Sequence, residues 1–152
     1  MSAEELVPLL ASRGVTLATA ESLTGGLLSA AVTSISGASE VFRGGVVAYA
    51  TDLKTGLLGV DAVLLERVGA VDSQVAQQMA QGAAQQLGAD IGLSTTGVAG
   101  PTQQDGNPVG TVFIGCFYDG QVIVEEHHFT GDRSRIRESS VNAALNLLKR
   151  VL

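Results

Sequence analysis

Cysteine is nearly absent: the 152 residues contain one, Cys116, inside the apolar run VFIGCFY. A single thiol cannot build a disulfide framework or a cysteine-rich metal centre within one chain; it reads as a small core residue. Tryptophan is missing, and four Phe and two Tyr supply all the aromatic side chains. Positive charge is scarce as well. Nine Lys and Arg face fifteen Asp and Glu, a net charge of −6, which argues against a surface built to coat nucleic acid or anionic lipid. An anionic ligand would have to be held locally, by backbone amides and a few placed cations. No apolar run approaches the ~20 residues of a membrane helix. The start, MSAEELVPLL, is acidic and amphipathic, unlike a secretory or transit peptide. The expectation is a cytoplasmic protein with neither nucleic acid nor membrane as partner. Also missing are the G-x-x-x-x-G-K-[ST] phosphate loop, the G-x-S-x-G elbow, H-E-x-x-H and any Cys/His cluster. Metal catalysis has no visible ligand set, and no cofactor is expected.

What the chain does have is apolar content, 45% of its residues, with mean hydropathy +0.30. That is enough for a sizeable core in a single domain over 1–152. The 19 glycines follow no repeat and sit between apolar runs, as turns and close backbone approaches. Leu6, Leu9 and Leu10 mark a helix over 3–12, closed by Gly14, and VTLATA (15–20) reads as a strand. A small helix is expected from Thr24 to Ile35, then a buried strand GVVAYA (45–50), then helical pieces near 52–58 and 61–68. Val75, Met79, Ala83 and Leu87 form the apolar stripe of a helix over 73–88, with five glutamines on its solvated side. IGLSTT (91–96) is a further strand before the loop 97–108. TVFIGCFY and QVIVEEHHF flank Asp119-Gly120, a hairpin turn signal. A final helix begins near Asp132, with Ile136, Val141, Ala144, Leu148 and Val151 inward. Strands alternating with helices, then a hairpin, imply a three-layer α/β/α sandwich with a mixed β-sheet that includes a C-terminal hairpin. Ligands in such sheets sit where strand ends meet glycine-rich loops.

Three segments carry chemistry. TAESLTGG (19–26) joins a strand to a helix, where a serine can point into a cleft and backbone N–H groups can stabilise negative charge. Thr24, Gly25 and Gly26 would let a ligand approach the backbone. The alternative is that Ser22 or Thr24 caps the helix. A serine nucleophile needs a base. His127 and His128 are adjacent on a strand and face opposite sides, consistent with edge-strand histidines beside Glu125 and Glu126. Of the two lysines, Lys149 sits in a last helical turn, where a cation suits the dipole. Lys54 follows a buried strand in YATDLKTG; partial burial there would lower its pKa and let it accept a proton from Ser22. Tyr49, five residues earlier, could relay a proton. A purely structural role for Lys54 also fits the pattern. STTGVAGP (94–101) repeats the strand-to-glycine-loop arrangement, so Thr96 and Gly97 are candidate substrate contacts or parts of an ordinary turn. In GDRSRIR (131–137), Asp132 is a candidate N-cap. Three arginines at a helix start suggest a bound anion, with Arg133 the candidate phosphate contact, or local ion pairs with Asp132 and Glu138.

Taken in order, TAESLTGG, FRGGVVAYATDLKTGLLGV, STTGVAGP with PVGTV, and FTGDRSRIR resemble the CinA C-terminal domain family, the nicotinamide-nucleotide amidohydrolases, across essentially the whole chain. The resemblance implies deamidation of nicotinamide mononucleotide to nicotinate mononucleotide and ammonia, with a small pyridine nucleotide as partner and no metal. It implies Ser22 as nucleophile, Lys54 as its base and Tyr49 assisting proton movement to the leaving ammonia. Larger members carry a second, N-terminal domain, so a stand-alone form is expected; the family tends to dimerise, and the Ala-rich helices would permit a homodimer. Leu23 stands where members often have Cys, Ala50-Thr51 replaces a frequent Ser-Asn, and 101–108 lacks the usual P-D-G start. The competing reading is a non-catalytic nucleotide-binding or competence-associated interaction module.

Overall fold

The structure is a computed structural model that describes residues 3–152. Helix α1 (Ala3–Arg13) leads into β1 (Leu17–Glu21), α2 (Leu27–Thr33) and β2 (Phe42–Val47). Helices α3 (Thr51–Leu58), α4 (Ala62–Val68) and α5 (Ser73–Leu87) follow, then β3 (Ile91–Gly97), the hairpin β4 (Thr111–Tyr118) and β5 (Gln121–His128), and α6 (Arg133–Val151). The five strands form one sheet in the order β2-β1-β3-β4-β5. β1 pairs in parallel with both β2 and β3, whereas β3–β4 and β4–β5 are antiparallel. The sheet is therefore mixed, as expected, and helices cover both of its faces.

On one face α1, α2 and α6 place Leu6, Leu10, Leu28, Val32, Ile136 and Leu148 against Leu17, Leu93 and Ile114. On the other, Leu58, Leu64, Leu65, Val75, Met79 and Ala83 from α3–α5 close over Ala18 and Ala20. The stripe expected on α5 is the buried one, apart from half-buried Leu87. In α6 Ile136, Val141, Ala144 and Leu148 are buried and Val151 half-buried. Gly92 shows why small residues are used at the sheet. A Cβ there would stand 1.8 Å from the Ala80 carbonyl oxygen, so any larger residue would push α5 off β3. Among the described residues, no helix is long and apolar enough to cross a membrane.

Two elements differ from the sequence reading. The expected strand 45–50 is shifted to Phe42–Val47, and it is an edge strand with alternating exposure, not a buried one. Gly44 and Gly45 lie within it, in register with Ala18 and Thr19. A Cβ on Gly45 would meet Ser29 Oγ and Thr19 Oγ1 at 2.4 Å, so this glycine exists for close packing and not as a strand boundary. The second helix starts at Leu27, not Thr24, because Gly25 and Gly26 take φ of 57° and 109°, a left-handed excursion that a helix cannot contain.

The register has one consequence for function. Glu21 is opposite Val47 on one side and Thr95 on the other. β1 and β2 thus end level with Thr95, and Ser22 after β1, Ala48-Tyr49 after β2 and the last β3 residues Thr96-Gly97 come to the same edge.

Candidate active site

At that edge Ser22 opens the turn between β1 and α2, its amide donating to the Thr95 carbonyl at 3.0 Å. Neither Ser22 nor Thr24 caps α2; Gly26 holds the N-cap position and provides no side-chain bond. The cap comes from Glu21. Its fully buried carboxylate accepts from the amides of Gly26 (3.2 Å), Leu28 (2.8 Å) and Ser29 (3.0 Å), and from the hydroxyls of Thr24 and Ser29 (both 2.7 Å). A negative charge at a helix N-terminus, saturated with donors, satisfies the orphan amides of the first turn. It also clamps both ends of the turn that carries Ser22. Replacing Glu21 with Ala would strand the buried Leu28 amide and the part-buried amides of Gly26 and Ser29, and a loss of about 3 kcal/mol is expected. The check is the urea midpoint, with Glu21→Gln falling between wild type and Glu21→Ala.

Lys54, on α3, reaches across to this turn. Its side chain is fully buried, and its Nζ donates to Ser22 Oγ at 3.0 Å and to the Ala48 carbonyl at 2.7 Å. Among the described residues no carboxylate is bonded to the amine, and burial pushes its pKa down from 10.5 to about 8. A lysine with a pKa near 8, bonded to a serine hydroxyl, is poised as a general base. Ser22 is 8% exposed and opens onto a cleft of about 130 Å³ that Leu23, Tyr49, Lys54, Ala70, Val71, Thr96, Gly97 and Gln104 also line. That volume is comparable with the ~150 Å³ cavity that takes up one benzene ring. The cleft has room for about one flat ring.

Tyr49 is 58% exposed at the rim, where its hydroxyl accepts from Arg133 Nη2 at 3.0 Å. Arg133 Nη1 donates to the Gly100 carbonyl at 2.6 Å. Of the remaining candidate contacts, Thr96 and Gly97 line the cleft, with the Thr96 hydroxyl donating to the Ala70 carbonyl at 2.7 Å. The Thr24 hydroxyl is buried between Glu21 and Thr95 Oγ1 (2.8 Å), and Thr24 is not among the residues that line the cleft. Gly25 and Gly26 shape the turn. The Gly25 amide is bonded to the Ser22 carbonyl and the Gly26 amide to Glu21, and Leu23, next to Ser22, lines the cleft. Arg137 holds the same turn from α6, donating from Nε to the Leu23 carbonyl (2.9 Å) and from Nη2 to the Thr24 carbonyl (3.1 Å).

The histidines lie outside the cleft on β5, paired with Glu125 and Glu126. Cys116 is buried, and burial pushes its thiol up to about 12. Among the described residues no cluster of three or more His, Cys, Asp or Glu could hold a metal ion. Sequence reasoning missed Glu21, the Ala48 carbonyl, Ala70, Val71 and Gln104, and it read Arg137 only as one of three arginines suggesting a bound anion or ion pairs, not as a clamp on the Ser22 turn. Only Glu21 left a signal, as a lone acid closing an apolar strand ahead of several hydroxyl residues.

Known proteins share this architecture. A CinA-like protein of Frankia casuarinae is 50% identical over 144 residues, 95% of this chain and 33% of its own length. One of Dictyoglomus thermophilum is 44% identical over 150 residues, 98% of this chain and 36% of its own. The chain thus spans about a third of the length of the curated relatives it matches. The crystal structure of a competence-damaged protein (CinA) superfamily protein from Escherichia coli superposes with a TM-score of 0.96 at 34% identity, covering 99% of this chain and 88% of that one. The competence/damage inducible protein CihA from Agrobacterium tumefaciens gives 0.94 at 36%, covering 97% and 92%. The family model for the CinA C-terminal domain matches residues 1–152, and the chain belongs to that family.

Proposed function

We propose that the protein is a serine amidohydrolase that deamidates nicotinamide mononucleotide to nicotinate mononucleotide and ammonia. The observation that carries this reading is the 3.0 Å hydrogen bond between buried Lys54 and Ser22, at the mouth of a ring-sized cleft. The nicotinamide ring enters the cleft with its carboxamide at Ser22, and the ribose phosphate extends to the rim, where Arg133 is the cation available to it. Neutral Lys54 takes the Ser22 proton as Oγ bonds to the carboxamide carbon. The oxyanion is met by the Leu23 amide, from a residue that lines the cleft. The C–N bond then breaks as nitrogen takes the Tyr49 proton and leaves as ammonia, and the Lys54 ammonium returns a proton to Tyr49. In the second half Lys54 deprotonates water, which attacks the acyl carbon, and hands that proton back to Ser22 Oγ as the acid leaves.

The test is ammonia release from nicotinamide mononucleotide by the wild type and by Ser22→Ala. Turnover in the wild type alone, unaffected by a chelator, supports the reading. Calorimetry that detects nucleotide binding without turnover would favour a binding module instead. The base also makes a pH prediction. Only the neutral amine accepts a proton, and at pH 7 a group with a pKa of about 8 is neutral in roughly one molecule in ten. The logarithm of kcat/KM is expected to rise with pH at unit slope well below pH 8 and level off above it. A flat profile between pH 6 and 8 would remove Lys54 from this role.

A further inference from the structure

The rim contact between Arg133 and Tyr49 goes beyond holding a phosphate. A guanidinium only donates hydrogen bonds, so in the 3.0 Å contact from Nη2 the Tyr49 oxygen is the acceptor. That fixes the role of the phenol: the proton it carries is left to be given elsewhere, from a residue that lines the cleft. Tyr49 needs such a restraint, because at 58% exposure its ring has little packing to hold it. Arg133 is itself held at a second point, through Nη1 to the Gly100 carbonyl at 2.6 Å. A planar fork fixed at two points has a defined orientation, which a lysine in its place would lack. Two of the five guanidinium N–H donors are used in these bonds, and three remain for an anion.

On the functional reading above, we propose that Arg133 is a positioning residue for turnover: it presents the Tyr49 hydroxyl as the proton donor to the leaving nitrogen. As that proton leaves, a phenolate forms beside the guanidinium, and the cation stabilises the charge where it develops. A phosphate on the free donors of Arg133 steadies the same fork. The phosphate end of the substrate thereby contributes to kcat and not only to KM, and the site favours pyridine nucleotides over their phosphate-free nucleosides in the chemical step.

The experiment is a double-mutant cycle in kcat with Arg133→Lys, Tyr49→Phe and the pair, on nicotinamide mononucleotide and on nicotinamide riboside. Lysine keeps a positive charge for the phosphate but not the two-point fork. Arg133→Lys is expected to hold KM for the mononucleotide within a few-fold while kcat falls ~10–100-fold. The same change in the Tyr49→Phe background should cost nothing further. The kcat advantage of mononucleotide over riboside, about 10-fold or more in the wild type, should close in Arg133→Lys. Effects that multiply, or an Arg133→Lys loss confined to KM, would overturn the positioning role while leaving the amidohydrolase reading intact. A wild type that releases no ammonia from either compound removes both.

Discussion

Ser22→Ala is expected to leave a folded protein whose ammonia release from nicotinamide mononucleotide falls by on the order of 10⁴-fold or more. The size follows from what the hydroxyl does. It is the atom that would bond to the carboxamide carbon, and among the described residues lining the cleft no cysteine or second serine replaces it; the Thr96 hydroxyl is already donating to Ala70. Folding should survive because Ser22 is held by its backbone, through its amide to Thr95, and the turn is held by Glu21 and Arg137. Substrate binding should survive for the same reason, so the KM effect is small and the loss appears in kcat. A second measurement separates nucleophile from bystander: rapid mixing of the wild type should show ammonia released ahead of the acid as acyl-enzyme accumulates, provided deacylation is the slower half. Residual activity in Ser22→Ala within tenfold of wild type would remove Ser22 as nucleophile.

How far the sequence discloses such a site depends on how local each signal is. Element order and type are legible, because apolar periodicity, Asp119-Gly120 and the glycine-rich junctions are properties of a few consecutive residues. The placement of β2 is not. An edge strand has one partner, and its boundaries are set by register against β1, which puts Phe42 opposite Leu17 and stops pairing at Val47. Ser22 and Lys54 can be singled out because a serine at a strand-to-helix turn and a rare lysine after a strand are conspicuous. That they meet depends on β1 and β2 ending together. The buried role of Glu21 escapes notice because a carboxylate is priced as solvent-exposed until five donors converge on it, three of them amides of a helix start displaced by Gly25 and Gly26. The Tyr49–Arg133 bond joins residues 84 apart in the chain, brought together only when α6 lays its first turn against the rim.

Lys54→Met is expected to cut turnover sharply and yet spare the fold, and the stability measurement is as telling as the kinetic one. Loss of a general base costs about 10²–10⁴-fold in rate. Against that stands the burden of burying an amine. The folded state releases the Lys54 proton near pH 8 and the unfolded chain near 10.5, so unfolding takes up a proton between those values. Stability contributed at this site therefore rises with pH across the window from about 8 to 10.5. Below pH 8 the folded protein carries the full penalty, about 3 kcal/mol. Methionine removes that penalty and leaves the Ala48 carbonyl without its 2.7 Å donor, a loss of about 1–3 kcal/mol. The two terms nearly offset at neutral pH, so the urea midpoint of Lys54→Met at pH 7 should equal or exceed that of the wild type. The decisive comparison is the pH dependence. Wild-type stability relative to Lys54→Met should climb between pH 8 and 10, and the mutant should lack that component. A stability difference that stays constant with pH would mean that the amine is not titrating near 8, and with it would go the case for Lys54 as the base.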